Sequence, residues 1–180
     1  MNKARELTGA ALFWLLTEQR CTLVTVERGF GWGNPDALGM LPDRRLVEVD
    51  VKTSMRDFRA NAHKNHVQSY NIPGLDSPGI PSKYYFLVPP EISQRVISEL
   101  PEYAGLLTID GDKSWGNGAR LILVIKQAPR MPRRRLTVNQ AITMAKNQSR
   151  AFVSEYLRTT SDLSFKGNDS EHKNEDTNHA

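Results

Sequence analysis

Residues 34–52 read Asn34-Pro35-Asp36-Ala37-Leu38-Gly39-Met40-Leu41-Pro42-Asp43-Arg44-Arg45-Leu46-Val47-Glu48-Val49-Asp50-Val51-Lys52. The second half alternates strictly. Side chains along a strand point to opposite faces in turn, so Val47, Val49 and Val51 share one face and Glu48, Asp50 and Lys52 the other. The valines belong in a core. The opposite face then gathers two acids and a lysine within about 14 Å, at ~3.3 Å per residue. Burying such a row without a partner is unfavourable, so it is expected to face an open cleft that holds a cation. Asp36 lies on a short preceding strand candidate, and the turn Pro42–Arg45 folds that strand back, which brings Asp36 beside Asp50. Two carboxylates with the Val51 carbonyl are hard oxygen ligands suited to Mg²⁺ or Mn²⁺. A metal there polarises a phosphate and helps to deprotonate water. The Lys52 ammonium orients the attacking water or neutralises charge on the phosphorus centre.

Working outward, residues 4–18 read as a helix, with Leu7, Ala11, Trp14 and Leu15 on one face. Cys21–Val26 is rich in β-branched residues and reads as a strand. Gly29, Gly31 and Gly33 mark a loop carrying Phe30 and Trp32. After Lys52, Ser54 caps a helix that runs to about Val67 or Tyr70. Asn71–Ser82 is a loop. Tyr84–Val88 is an apolar strand and Glu91–Leu100 a helix. Leu106–Ile109 and Arg120–Ile125 are strands around a Gly-rich hairpin or loop, and Thr137 with Gln140 opens a final helix to about Arg158. The order of elements is that of an α/β layered domain.

A length of 180 residues suits one domain over 1–160, and 39% hydrophobic with 24% charged residues is ordinary for a soluble chain. No stretch reaches the ~18 apolar residues of a membrane span, and no signal peptide is read, so no membrane association and a cytoplasmic location are expected. Cys21 stands alone, which excludes an internal disulfide and a cysteine-rich zinc site; it reads as a small buried side chain. Residues 161–180 set Lys166 and Lys173 against Asp162, Asp169, Glu171, Glu175 and Asp176, a net −3, leaving +7 of the chain's +4 total on the body. A basic body suggests a polyanionic partner. The tail has almost no apolar residues after Phe165 and is expected to be disordered.

Asp36, Asp50 and Lys52 with this spacing resemble the PD-(D/E)XK nuclease superfamily, here written Pro35-Asp36 … Asp50-Val51-Lys52, with thirteen residues between the acids. A closer resemblance, over roughly residues 20–153, is to the MmcB-like family of bacterial DNA repair proteins. It is carried by Val47–Ser54, Asp57-Phe58-Arg59-Ala60, Tyr84–Pro89, Gly105-Leu106-Leu107 and Ala128-Pro129. The resemblance implies a restriction-endonuclease-like αβββαβ core with a mixed central sheet. It also implies a Mg²⁺-dependent hydrolase acting on DNA phosphodiester bonds in repair or processing. The alternative is a non-catalytic DNA-binding or assembly module that retains the fold. The family's acids fall on Asp36 and Asp50 and its lysine on Lys52; a glutamate falls near Glu27, a lysine near Lys64 and a tyrosine near Tyr70. Where the family usually has glutamate, this chain has the shorter Asp50. A homodimer and a repair-protein partner are further expectations.

Glu48 has two readings, a further site acid or a partner for Arg44 or Arg45; Glu27 is either a supporting acid behind the ligands or a surface acid. Trp32 is placed to stack bases or to form a hydrophobic lid. His63 and His66 lack companions for a zinc site. Arg130, Arg133, Arg134 and Arg135, with Lys146 and Arg150 four apart on the last helix, form a patch suited to backbone phosphates, or a generic solvated surface.

Overall fold

The computed structural model describes residues 2–26, 35–61, 80–116, 118–132 and 135–168, with side chains described for these except at 112 and 159–168. By contacts the chain divides into two units, Met1–Asn139 and Gln140–Ala180.

In the first unit, helix α1 (Lys3–Thr17) precedes strands β1 (Leu23–Thr25), β2 (Ala37–Met40) and β3 (Leu46–Val51). Helix α2 (Met55–Asn61), strand β4 (Lys83–Val88), helix α3 (Pro90–Glu99) and strands β5 (Ala104–Ser114) and β6 (Arg120–Lys126) follow. The strands form one mixed sheet in chain order. β1–β2–β3 are antiparallel, β3–β4–β5 are parallel, and β6 returns antiparallel to β5. The fold is therefore mixed α/β.

The local chemistry explains the elements. Asn2 caps α1 by accepting from the Ala4 N–H at 3.1 Å, and the helix buries Leu7, Ala10, Ala11, Trp14 and Leu15. That face packs on Val47, Val49, Val51, Tyr85 and Leu87 from the central strands, forming the first core layer. Trp14 meets the Tyr85 ring edge-on at 5.2 Å. The valine face of β3 is thus in a core, as its alternation predicts.

The opposite sheet face carries Tyr84, Phe86, Val88, Ala104 and Leu106, and α2 and α3 cover it with Met55, Phe58, Ile92 and Val96. β4 is apolar on both faces because parallel strands in such a sheet are covered on both sides.

Two close approaches fix the packing. A Cβ on Gly39 would fall 2.5 Å from the Cys21 Sγ, and one on Gly105 would fall 2.5 Å from both the Ala128 N and the Tyr85 ring. Cys21 is buried, and burial pushes its thiol up to about 12, so it is an inert core side chain.

The last helix, α4 (Val138–Asn168), runs past the end expected near Arg158 and takes in residues 161–168 of the stretch expected as disordered tail. The expectation weighed burial; no proline or glycine interrupts the chain between Val138 and Lys166. Residues 169–180 lie outside the described set. Ile142, Phe152 and Tyr156 are 46%, 69% and 60% exposed. Phe152 and Tyr156 stack one helical turn apart, at 6.5 Å.

Among the described residues no helix is long and apolar enough to cross a membrane.

Candidate active site

The β2–β3 turn positions the site. The Leu41 N–H donates to the Arg45 carbonyl and the Arg44 N–H to that of Leu41, each at 2.8 Å. Arg44 takes a left-handed φ of 67° to close the turn. Asp43 accepts from the Arg45 backbone N–H at 3.2 Å and from its side-chain Nε at 2.6 Å. The Arg45 guanidinium thus finds a carboxylate two residues away within its own turn.

The resulting register pairs Ala37 with Val49. Asp36, one residue before β2, therefore lies beside the end of β3, and its Oδ2 accepts from the Val51 N–H at 2.7 Å. The Asp50 carboxyl lies close enough to Asp36 to help raise its pKa. The Lys52 Nζ donates to Asp50 Oδ1 at 2.6 Å. Asp36, Asp50 and Lys52, fourteen and two positions apart in sequence, are thus one cluster.

Its surroundings differ from expectation. Instead of lying in an open groove, Asp50 and Lys52 are 4% and 3% exposed, and Glu48 is 5% exposed. Their face of β3 is the one that α2 and α3 cover, next to Tyr84 and Phe86 in the parallel register Glu48–Tyr84 and Asp50–Phe86. Burial raises the Asp36 carboxyl from 3.8 to about 6, helped by the neighbouring Asp50 carboxyl and its charge; the Val51 N–H and Lys52 oppose the rise.

Three further residues join the cluster. The Tyr84 hydroxyl donates to Asp50 Oδ2 at 2.8 Å, and Asn61 Nδ2 donates to the Tyr84 oxygen at 3.1 Å. Tyr103 lies near both Glu48 and Asp50; burial foremost, then those two charges, pushes its hydroxyl up to about 12. Sequence reading took Tyr84 as an apolar strand residue. The available signal was its alternation with Phe86 and Val88, which becomes informative only once β4 is aligned beside β3.

Among the described residues no group of three or more His, Cys, Asp or Glu side chains is arranged to hold a metal. The donor set nevertheless fits a hard divalent cation. Mg²⁺ is commonly held by one or two carboxylates, with water and substrate oxygens completing its shell. Asp36 and Asp50 adjoin, and a carboxylate oxygen can accept more than one contact. A cation would offset the burial and the Asp50 charge that raise Asp36. The Val51 amide faces this cluster through its N–H.

Glu27, Trp32, Lys64, Arg133 and Arg134 lie outside the described residues, as do Phe30, His63, His66, Tyr70 and residues 71–79. Arg130 and Arg135 are exposed on the first unit; Lys146 and Arg150 are exposed on the helix of the second. A small cavity of about 150 Å³ opens between α2, the end of α3 and β4, lined in part by Phe58, Asn61, Phe86 and Tyr103.

No protein-family model and no curated protein matches the chain. Among solved structures, a protein of unknown function from Silicibacter pomeroyi is similar at 16% identity with a TM-score of 0.58, covering 91% of this chain and 94% of that one. At that identity the likeness shows a shared fold.

Proposed function

We propose that this chain is a Mg²⁺- or Mn²⁺-dependent nuclease that hydrolyses DNA phosphodiester bonds in repair or processing, built on a restriction-endonuclease-like core. The reading is carried by one observation: a hairpin gathers the half-buried Asp36 with the buried Asp50 and Lys52 into a single cluster. A hydrophobic strand face would fold more readily, so retention of charge there favours a chemical role. The element order helix, three strands, helix, strand, with its antiparallel-then-parallel sheet, agrees with the PD-(D/E)XK core.

In this mechanism Asp36 and Asp50 would hold the cation, which when bound would supply Lewis acidity. Tyr84 fixes one oxygen of Asp50 by hydrogen bonding and so orients the carboxylate. Lys52 stands beside Asp50 as the cation that steadies the attacking water and the charge developing on phosphorus. The exposed Arg130 and Arg135 offer guanidiniums to backbone phosphates without reading sequence.

The depth of Asp50 and Lys52 favours a second reading, a DNA-binding or assembly module that keeps the fold without turnover. Incubation of the protein with duplex, nicked, branched and single-stranded DNA, and matched RNA, with Mg²⁺, Mn²⁺ or chelator, separates the two. Metal-dependent cleavage abolished in Asp36→Asn supports the nuclease. Salt-dependent DNA binding with no cleavage in any metal supports the module and rejects the nuclease.

A further inference from the structure

Asp50 is held at both of its oxygens. Oδ1 accepts from the Lys52 Nζ at 2.6 Å and Oδ2 from the Tyr84 hydroxyl at 2.8 Å. Behind Tyr84 stands Asn61, the last residue of α2, whose Nδ2 donates to the phenol oxygen at 3.1 Å. A phenol carries one proton, and its hydroxyl turns until a neighbour fixes it. The amide supplies a donor, so the oxygen accepts on that side and the proton is left for the carboxylate. Asn61 thereby sets which way the Tyr84 hydroxyl points.

The same arrangement carries a penalty. With Nδ2 turned to Tyr84, Asn61 Oδ1 is a buried acceptor with no hydrogen-bond partner among the described residues, on a residue 1% exposed. Such a group is unfavourable and uncommon in folded chains. The packing around it is apolar: Phe58 on α2 meets Phe86 on β4 edge-on at 4.9 Å. A leucine of nearly the same shape would serve that packing without an unsatisfied carbonyl. The fold alone therefore gives no reason for an amide at this position, and the bond to Tyr84 does.

We propose that Asn61 is a positioning residue of the acid site: through Tyr84 it holds the Asp50 carboxylate in the orientation that takes a divalent cation. The proposal rests on the reading of Asp36 and Asp50 as metal ligands and assigns the support behind one of them. Groups that orient a ligand in this way are worth roughly tenfold or more in metal affinity. Asn61 acts on Asp50 through the Tyr84 hydroxyl, so its effect vanishes once that hydroxyl is removed.

The test is a Mn²⁺ titration of the full chain, read by the paramagnetic resonance signal of the free ion, beside urea unfolding in chelator. Asn61→Leu should weaken Mn²⁺ binding roughly tenfold, while its urea midpoint stays level or rises because the unsatisfied carbonyl has gone. Tyr84→Phe should weaken binding to a similar extent, and the double variant should bind no worse than Tyr84→Phe alone. If Asn61→Leu binds Mn²⁺ as the wild type does, the proposal is overturned and the metal reading stands. A further, additive loss in the double variant would overturn it as well, since Asn61 would then act by another route. A urea midpoint that collapses in both Asn61→Leu and Asn61→Ala would show that the amide serves the fold, with the same consequence. A wild type that binds no Mn²⁺ removes the metal reading, and the proposal with it.

Discussion

Lys52→Met is the most informative single change. It keeps the length and apolar stem of the side chain and deletes only the ammonium that sits 2.6 Å from Asp50 Oδ1. The side chains of this pair are 3% and 6% exposed, so solvent cannot replace the lost partner. Removing one member of a buried ion pair leaves an uncompensated charge and destabilises by about 3–5 kcal/mol. A domain's whole stability is on the order of 5–15 kcal/mol, so the variant should lose a large part of it. With a urea slope of ~1–3 kcal/mol/M, the midpoint should fall by at least about 1 M. Urea unfolding followed by fluorescence and circular dichroism measures this directly. The companion is Asp50→Asn with Lys52→Met, which removes both charges. It should recover most of the loss, because no orphan charge remains and the Asn carbonyl can still accept from Tyr84. A single-variant loss under about 1 kcal/mol, or a double variant no more stable than the single, would refute the claim that these two charges are buried and mutually dependent.

Other outcomes follow from the same geometry. Asp36 stands raised from 3.8 to about 6, so between those values the folded state holds a proton that the unfolded chain has released; on this group alone stability falls as pH rises through that window and is lowest above it. Asp36→Asn should flatten that limb and gain on the order of 1 kcal/mol at pH 8, a figure discounted for partial exposure; an unchanged stability–pH profile counts against it. Mg²⁺ at ten times its dissociation constant should stabilise the wild type by about 1.4 kcal/mol, less below pH 6 as Asp36 takes up its proton, and not at all in Asp36→Asn; thermal melts with and without metal decide. Gly39→Ala should lose about 1–3 kcal/mol, because its new Cβ meets the Cys21 Sγ at 2.5 Å. Adding Cys21→Ala should restore part of that in chemical denaturation, and strict additivity of the two changes would argue against the contact.

The hairpin was legible because its information is local. A period of two over Leu46–Val51 assigns faces, and a short turn at Pro42–Arg45 can only fold β2 back on β3. Those two facts together place Asp36 beside Asp50. What escaped is non-local. The depth of Glu48, Asp50 and Lys52 depends on which layer α2 and α3 cover, and nothing in residues 46–52 encodes that. An acid row suggested solvent, yet the parallel neighbour β4 sets Tyr84 and Phe86 beside it. Tyr84 and Asn61 entered the site only through strand pairing and a helix end, contacts of long sequence separation. The end of α4 was misjudged for the opposite reason: a criterion of burial was applied to a segment where local propensity decides.

Burial also bears on how the two candidate functions divide. A lysine–aspartate pair held at 2.6 Å inside a protein is a poor device for stability, since an apolar pair of the same volume does as well or better. A binding module that uses only exposed guanidiniums has no need of it. A hydrolytic site does need it: a fixed ammonium and two carboxylates in a low-dielectric setting act on a phosphate far more strongly than the same groups in water. The charge-free double variant therefore discriminates between the functions as well as between the energetics. If it folds and still binds DNA while the wild type alone cleaves, the buried charges are there for chemistry. If it matches the wild type in every DNA assay, they are not.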